Sequence, residues 1–112
     1  MATINFEQFE AVEMRVGRIL RVERNEKARK PAYKLWIDFG EEVGVKQSSA
    51  QIVDLYAPEE LVGRLVVAVT NFPPKMVAGW VSEVLVLGIP DDEGRVCLLS
   101  VDGLPPLGAR VF

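Results

Sequence analysis

Three short segments concentrate the side chains able to do chemistry. Lys46-Gln47-Ser48-Ser49 places a cation, an amide and two hydroxyls in four consecutive positions. Asn71-Phe72-Pro73-Pro74-Lys75 sets an amide, an aromatic ring and a second cation around two prolines, and Trp80, Ser82 and Glu83 follow closely. Glutamine and serine both donate and accept hydrogen bonds, so the first segment suits peptide backbone or base edges. The prolines fix φ, which presents Phe72 and Lys75 with little further loss of entropy. Phe72 and Trp80 can receive apolar side chains, stack on a base, or pack in a core or interface. Glu83 can hold Lys46 or Lys75 in place, accept from a peptide N–H, or form a surface ion pair of small energetic weight. All of this is recognition chemistry. Histidine is absent and Cys97 is the single cysteine. Ser-His-Asp and Cys-His nucleophilic sites are therefore excluded. So are histidine-based metal sites and cysteine clusters for zinc or iron–sulfur. The expectation is a binding protein with no catalytic residue, no metal and no cofactor, in which Asp38 and Cys97 are structural.

Charge is unevenly spread. Thirteen basic against sixteen acidic residues give a net charge of -3 over 112 residues. Eight of the basic residues (Arg15, Arg18, Arg21, Arg24, Lys27, Arg29, Lys30 and Lys34) fall in one stretch with only Glu23 and Glu26. Eight minus two makes that stretch +6 and leaves -9 for the remainder. Arg15, Arg18, Arg29, Lys30 and Lys34 are the candidate basic patch, for phosphates or an acidic peptide. The same charges would also keep a strand edge from aggregating.

Around these segments the hydrophobic pattern predicts short strands. Asn5 can cap a helix over 5–10, with Phe6 and Phe9 on one face. Residues 14–24 read as a long strand bent near Gly17 or Arg18. Tyr33, Leu35, Ile37 and Phe39 alternate on one side of a second strand, which puts Trp36 on the other. Residues 43–47 make a third strand, Ser48 to Tyr56 a serine-capped helix closed by Pro58, and 64–70 a buried strand. Asn71 to Pro74 is a loop, Ser82 to Leu87 a fifth strand, and Arg95 to Val101 a sixth. Ala109 to Phe112 fits a short edge strand. The expected fold class is all-β: a five-stranded Greek-key OB-fold barrel with a short helix between strands three and four, an N-terminal helix and a C-terminal extension.

Length and composition (49% apolar, 26% charged) suit a single domain over 1–112. The N-terminus lacks a basic segment followed by an apolar run, and no apolar stretch nears the ~20 residues of a membrane span. The expectation is a cytoplasmic protein without membrane insertion. Residues 1–12 and 102–112 carry more apolar side chains than so little chain can cover. Phe6, Phe9, Pro106, Leu107, Val111 and Phe112 are the candidate dimer interface, unless they pack over the open barrel end.

Taken together, Lys46 to Ile52, Asn71 to Lys75, Ala78-Gly79-Trp80 and Ser82 to Gly88 closely resemble the CsaA family of export-related chaperones, which are built on the tRNA-binding domain fold. Glu13 to Gly17 and Leu35 to Gly40 are similar to that superfamily's opening strands, so the resemblance covers essentially the whole chain in order. It implies a homodimeric OB-fold protein that binds unfolded precursor proteins and delivers them to the secretion machinery. It also implies tRNA as an alternative partner, because the superfamily includes the tRNA-binding appendix of methionyl-tRNA synthetase. The implied site for peptide or RNA is Lys46, Gln47, Ser48, Ser49, Asn71, Phe72, Pro73, Lys75, Trp80, Ser82 and Glu83. Relatives that bind tRNA usually carry Ser-Glu-Gly-Met where this chain has Ser82-Glu83-Val84-Leu85, and Ser-Gly where it has Ser48-Ser49; both departures favour the chaperone branch.

Overall fold

The computed structural model describes residues 1–112. The chain opens with helix α1 (Phe6–Glu10), whose Asn5 cap accepts from the Gln8 N–H while the Gln8 side chain accepts from the Asn5 N–H. This reciprocal box satisfies two donors that a helix start otherwise leaves unpaired. Strand β1 (Met14–Arg24) is followed by β2 (Tyr33–Asp38), a helical turn α2 (Gly40–Val43) and β3 (Val45–Ala50). Helix α3 (Pro58–Leu61) and β4 (Leu65–Val69) come next. The remaining elements are short: β5 (Lys75–Val77), β6 (Trp80–Ser82), β7 (Leu85–Val86), β8 (Gly88–Pro90) and β9 (Val96–Leu98).

Five strands form one antiparallel sheet in the order β3-β2-β1-β4-β7, the nearly closed barrel of an OB-fold. Strand β1 can serve two neighbours because it is long. Its first half pairs with β4 through Met14–Arg18, and its second half pairs with β2 through Arg18–Arg24. The register shifts between Ile19 and Arg21, so the bend lies just after the position expected from the glycine. Gly17 has a different task. A Cβ there would stand 2.6 Å from Ile37 Cγ2 and 2.7 Å from Phe39 Cε1, so a side chain is sterically shut out.

The alternation of β2 defines the core. Tyr33, Leu35, Ile37 and Phe39 are fully buried and join Ile19, Leu61 and Val66 in the main apolar cluster. The Tyr33 hydroxyl donates to the Tyr56 carbonyl at 2.7 Å, and the Tyr56 hydroxyl accepts from the Leu98 N–H at 2.9 Å. A pair of phenols thus ties β2, the segment before α3 and β9 together.

Several local expectations are corrected. Ser48 to Tyr56 is not a helix: β3 continues to Ala50, pairing Ser48 with Leu35 and Ala50 with Tyr33. Ser48, Ala50 and Ile52 are all buried, a period of two that belongs to a strand. Tertiary pairing outweighs the local serine signal. The helix between the third and fourth strands exists, but Pro58 begins it rather than ending it, since proline fits the first helical position. The third strand starts at Val45 because residues 40–43 form α2. The expected fifth strand divides. Its start joins β6, hairpinned with β5 on a turn at Ala78-Gly79, and its end is β7, paired with β4. Gly88 opens β8 rather than closing β7, and the expected sixth strand is reduced to β9, paired with β8. The tail pairs with β1 beyond the reach of β2: the Gly108 N–H donates to the Val16 carbonyl at 2.8 Å and the Val111 N–H to that of Met14 at 2.8 Å.

Candidate functional site

The sheet order leaves β3 as an edge strand, and one backbone hydrogen bond with several from side chains, rather than a ladder, seals that edge. The Glu83 N–H donates to the Gln47 carbonyl at 2.8 Å, and the Glu83 carboxylate accepts from the Gln47 N–H at 2.9 Å. The Ser82 hydroxyl accepts from the Ser49 N–H at 3.0 Å, and the Trp80 indole N–H donates to the Ser48 carbonyl at 3.1 Å. The Ser48 hydroxyl donates to the Val84 carbonyl at 3.0 Å. Residues 80–84 therefore close the barrel against β3, satisfying backbone groups of Gln47, Ser48 and Ser49 that a free edge would expose. Lys46 approaches the second Glu83 oxygen at 3.9 Å, both groups being about one-third exposed.

Beside this seam lies a groove of ≈ 430 Å³ lined by Ser49, Phe72, Pro73, Pro74, Lys75, Val77, Ser82, Glu83, Val84 and Leu85. One wall is the stiff Phe72-Pro73-Pro74 loop and the other is the junction between β6 and β7. Phe72 is 53% exposed and Leu85 49%, so both present apolar surface to a ligand. Lys75 and Glu83 supply one charge of each sign. A groove with apolar walls and few polar groups suits an extended chain with apolar side chains.

A second feature occupies the outer face of β1, β2 and β3. The registers bring Arg21 opposite Trp36 and Trp36 opposite Gln47 in one row. The next row holds Glu23, Lys34 and Ser49. Trp80 packs edge-on against Trp36 with ring centroids 4.9 Å apart. The Arg21 guanidinium lies 4.7 Å over the Trp36 ring and the Lys34 ammonium 5.1 Å over Trp80. The edge-on ring packing and the cation–π interactions hold this cluster in place.

The expected site residues are thus distributed among different tasks. Phe72, Pro73, Lys75, Ser49, Ser82 and Glu83 meet at the groove, while Lys46 and Gln47 flank the seam and Trp80 belongs to the outer face. Ser48 is corrected: it is fully buried and helps close the barrel, so it cannot reach a ligand. Asn71 is exposed beside the groove, and its amide also ties the end of α1 to the barrel. It donates to the Ala11 carbonyl at 2.7 Å and accepts from the Glu13 N–H at 3.1 Å.

Among the basic residues, Arg15 leaves the patch. Its side chain is 15% exposed, pairs with Glu13 at 3.0 Å and donates to the Gly108 carbonyl at 2.8 Å, holding the tail. Arg18 donates to the Gly63 carbonyl at 3.0 Å. Arg29 and Lys30 are exposed in the β1–β2 loop, and Lys34 is on the outer face. At the termini, Phe6, Val111 and Phe112 are exposed, as is Pro106, and Phe9 and Leu107 are half-buried. The Leu107 backbone carbonyl lies close against Gly40, where a Cβ would stand 2.6 Å from its oxygen. Sequence reasoning missed Leu85 in the groove, and Arg21 over Trp36. The opposite parity of Trp36 signalled its exposure, but its partner comes from a hairpin some forty positions away.

The family model described as "Putative tRNA binding domain" matches residues 14–110. The chain belongs to the tRNA-binding domain family. Among solved structures it is similar to the chaperone CsaA of Bacillus anthracis, with 50% identity, a TM-score of 0.92, and coverage of 99% of this chain and 100% of that one. The CsaA chaperone protein of Picrophilus torridus gives 45% identity and a TM-score of 0.91, covering 98% of this chain and 100% of the other. Among curated relatives, the methionine–tRNA ligase of Methanocaldococcus jannaschii is 36% identical over 111 residues, 99% of this chain but 17% of the ligase. That of Methanothrix thermoacetophila is 39% identical over 108 residues, 96% of this chain and 15% of the ligase. The chain therefore spans under one-fifth of these ligases. No helix is long and apolar enough to cross a membrane.

Proposed function

We propose that the protein is a non-catalytic, export-related chaperone that holds unfolded precursor proteins in the cytoplasm and passes them to the secretion machinery. The observation that carries this reading is the groove between the Phe72-Pro73-Pro74 loop and the β6–β7 junction. The similarity to two CsaA chaperones over nearly the whole chain supports it. Apolar segments of a client would lie against Phe72, Val77 and Leu85, with Lys75 and Glu83 orienting its polar groups. The exposed Phe6, Val111 and Phe112 support a homodimer whose termini cover one another, giving two grooves per particle. Calorimetric titration with an unfolded precursor peptide, alongside sedimentation equilibrium, tests both points. The expected result is one peptide per chain and two chains per particle. Phe72→Ala should weaken peptide binding about fivefold or more without changing the dimer, as loss of an aromatic anchor generally does. A wild-type chain that binds no unfolded peptide refutes the reading.

A second reading, binding of tRNA, is favoured by the matched family model and by exposed basic residues in the β1–β2 loop. Its signature is electrostatic. The affinity for tRNA should fall linearly on a log–log plot against salt. Removing Arg29 or Lys30 should reduce that slope by about one for each phosphate no longer neutralised. Gel shifts over a salt series measure this, and no binding at low salt refutes it.

A further inference from the structure

We infer that the outer edge of β5 takes an extended client segment as an added strand, with Met76 exchanging its backbone N–H and C=O with one client residue; this rests on the chaperone reading and specifies how the groove holds its ligand. The direction of each backbone pair follows from the turn. Ala78 (φ 48°) and Gly79 (φ 79°) both have positive φ, the mark of a two-residue type I′ hairpin. Val77 and Trp80 flank that turn as its closing pair, and such a pair exchanges both hydrogen bonds. Alternation then joins Lys75 to Ser82 in the same way and turns the N–H and C=O of Met76 and Val81 outward. On the β6 side the outward direction leads to β3: Glu83, in phase with Val81, gives its N–H to the Gln47 carbonyl at 2.8 Å. On the β5 side it leads to no strand, because β5 and β6 form a sheet of two. Met76 is 63% exposed, so this edge is open to a ligand.

A free donor and a free acceptor on a strand edge match the backbone of another extended polypeptide. A strand laid there presents its side chains alternately to two faces. The client residue opposite Met76 falls on the face of Met76 and Val81, which are both exposed and apolar. Its two neighbours fall on the face of Lys75 and Val77, which line the groove. Backbone pairing thus holds a chain of any sequence, and the apolar walls select segments with apolar side chains at alternate positions. Charge also favours polypeptide over nucleic acid here. Lys75 is the one cation lining the groove, and Glu83 offsets it, which suits a phosphate backbone poorly. Pairing with a second copy is disfavoured, because β5 is three residues long and the preceding Pro73 and Pro74 have no N–H to donate.

Amide hydrogen exchange followed by NMR, on the full chain with an unfolded precursor peptide, tests this edge directly. The Met76 amide should exchange fast in the free chain and slow about tenfold or more at saturating peptide. Met76→Pro removes the donor without removing a hairpin hydrogen bond, since proline is tolerated on an edge strand where its nitrogen faces outward. It should weaken peptide binding in calorimetry about 3- to 10-fold, the loss of one neutral hydrogen bond. Met76→Ala keeps the backbone and should weaken binding less. Should the proline variant fail to fold, exchange at Met76 in the wild-type chain decides alone. A Met76 amide already protected in the free chain overturns the inference, as does one that bound peptide leaves unchanged or that tRNA slows equally. Equal losses in the proline and alanine variants assign the effect to the side chain and also overturn it. Peptide binding undiminished in a folded Met76→Pro overturns the inference but leaves the chaperone reading standing. A wild-type chain that binds no unfolded peptide removes both.

Discussion

Gly17→Val is expected to destabilise the chain by about 3 kcal/mol or more, lowering the melting temperature by about 12–24 °C for a domain of this size. The cause is steric. A Cβ at position 17 would meet Ile37 Cγ2 at 2.6 Å and Phe39 ring atoms at 2.7 and 2.8 Å. Both neighbours are fully buried in the barrel, so neither can swing into solvent to make room. Gly17 also pairs with Val66 of β4, which limits any backbone retreat. Valine has a higher strand propensity than glycine, so a strand-propensity argument predicts the opposite sign. Thermal unfolding followed by circular dichroism decides between them. A valine variant as stable as the wild type would show that the barrel can open at this point. Gly17→Ala should fall between the two, since it adds the Cβ alone.

Glu83→Ala is expected to cost about 2–3 kcal/mol, the value of a hydrogen bond to a charged acceptor together with the N–H left unpaired. The carboxylate accepts from the Gln47 N–H at 2.9 Å and stands 3.9 Å from the Lys46 ammonium. Glu83→Gln separates the two contributions. It keeps an acceptor for the Gln47 N–H and loses only the partly exposed ion pair, so it should cost less than about 1 kcal/mol. Urea unfolding measures both variants, and amide hydrogen exchange at Gln47 should accelerate in the alanine variant only. Equal destabilisation by the two would assign the effect to charge rather than to closure of the β3 edge. Because Glu83 lines the groove, its loss should also weaken peptide binding, but through a loosened wall and with a lowered melting temperature. Phe72→Ala should weaken binding without that change, as its ring is largely exposed.

The contrast between these residues shows what could be read from the chain before its fold was known. Ser82 and Glu83 stand out in sequence as candidates for holding a ligand. In the barrel they mainly hold β3. Asn71 and Arg15 follow the same logic: each is polar and conspicuous, and each is engaged with backbone carbonyls at the chain ends. Side-chain type announces the ability to make a hydrogen bond but not its partner, which is set by segments distant in sequence. Ser48 shows the same limit for secondary structure. Serine before an apolar stretch is a sound local helix signal, yet the β2 strand beside it recruits Ser48 and Ala50 into a ladder.

Features that depend on neighbouring residues are legible in the chain alone. The absence of histidine and the lone Cys97 rule out whole classes of catalytic and metal chemistry. The alternation of Tyr33, Leu35, Ile37 and Phe39 identifies the core face of β2, and Asn5 caps α1 as its position predicts. The concentration of +6 charge in one stretch, hidden within a net charge of -3, is equally plain from the residues. Which polar groups remain free is a property of the folded barrel. Folding withdrew Arg15 and Ser48 from the candidate site, assembled the groove from the loop at 72–75 and the junction at 82–85, and set Trp80 against Trp36. The physical reason is that a buried or edge-strand polar group takes whatever partner the barrel brings to it, and closure of a barrel joins segments that no local pattern connects.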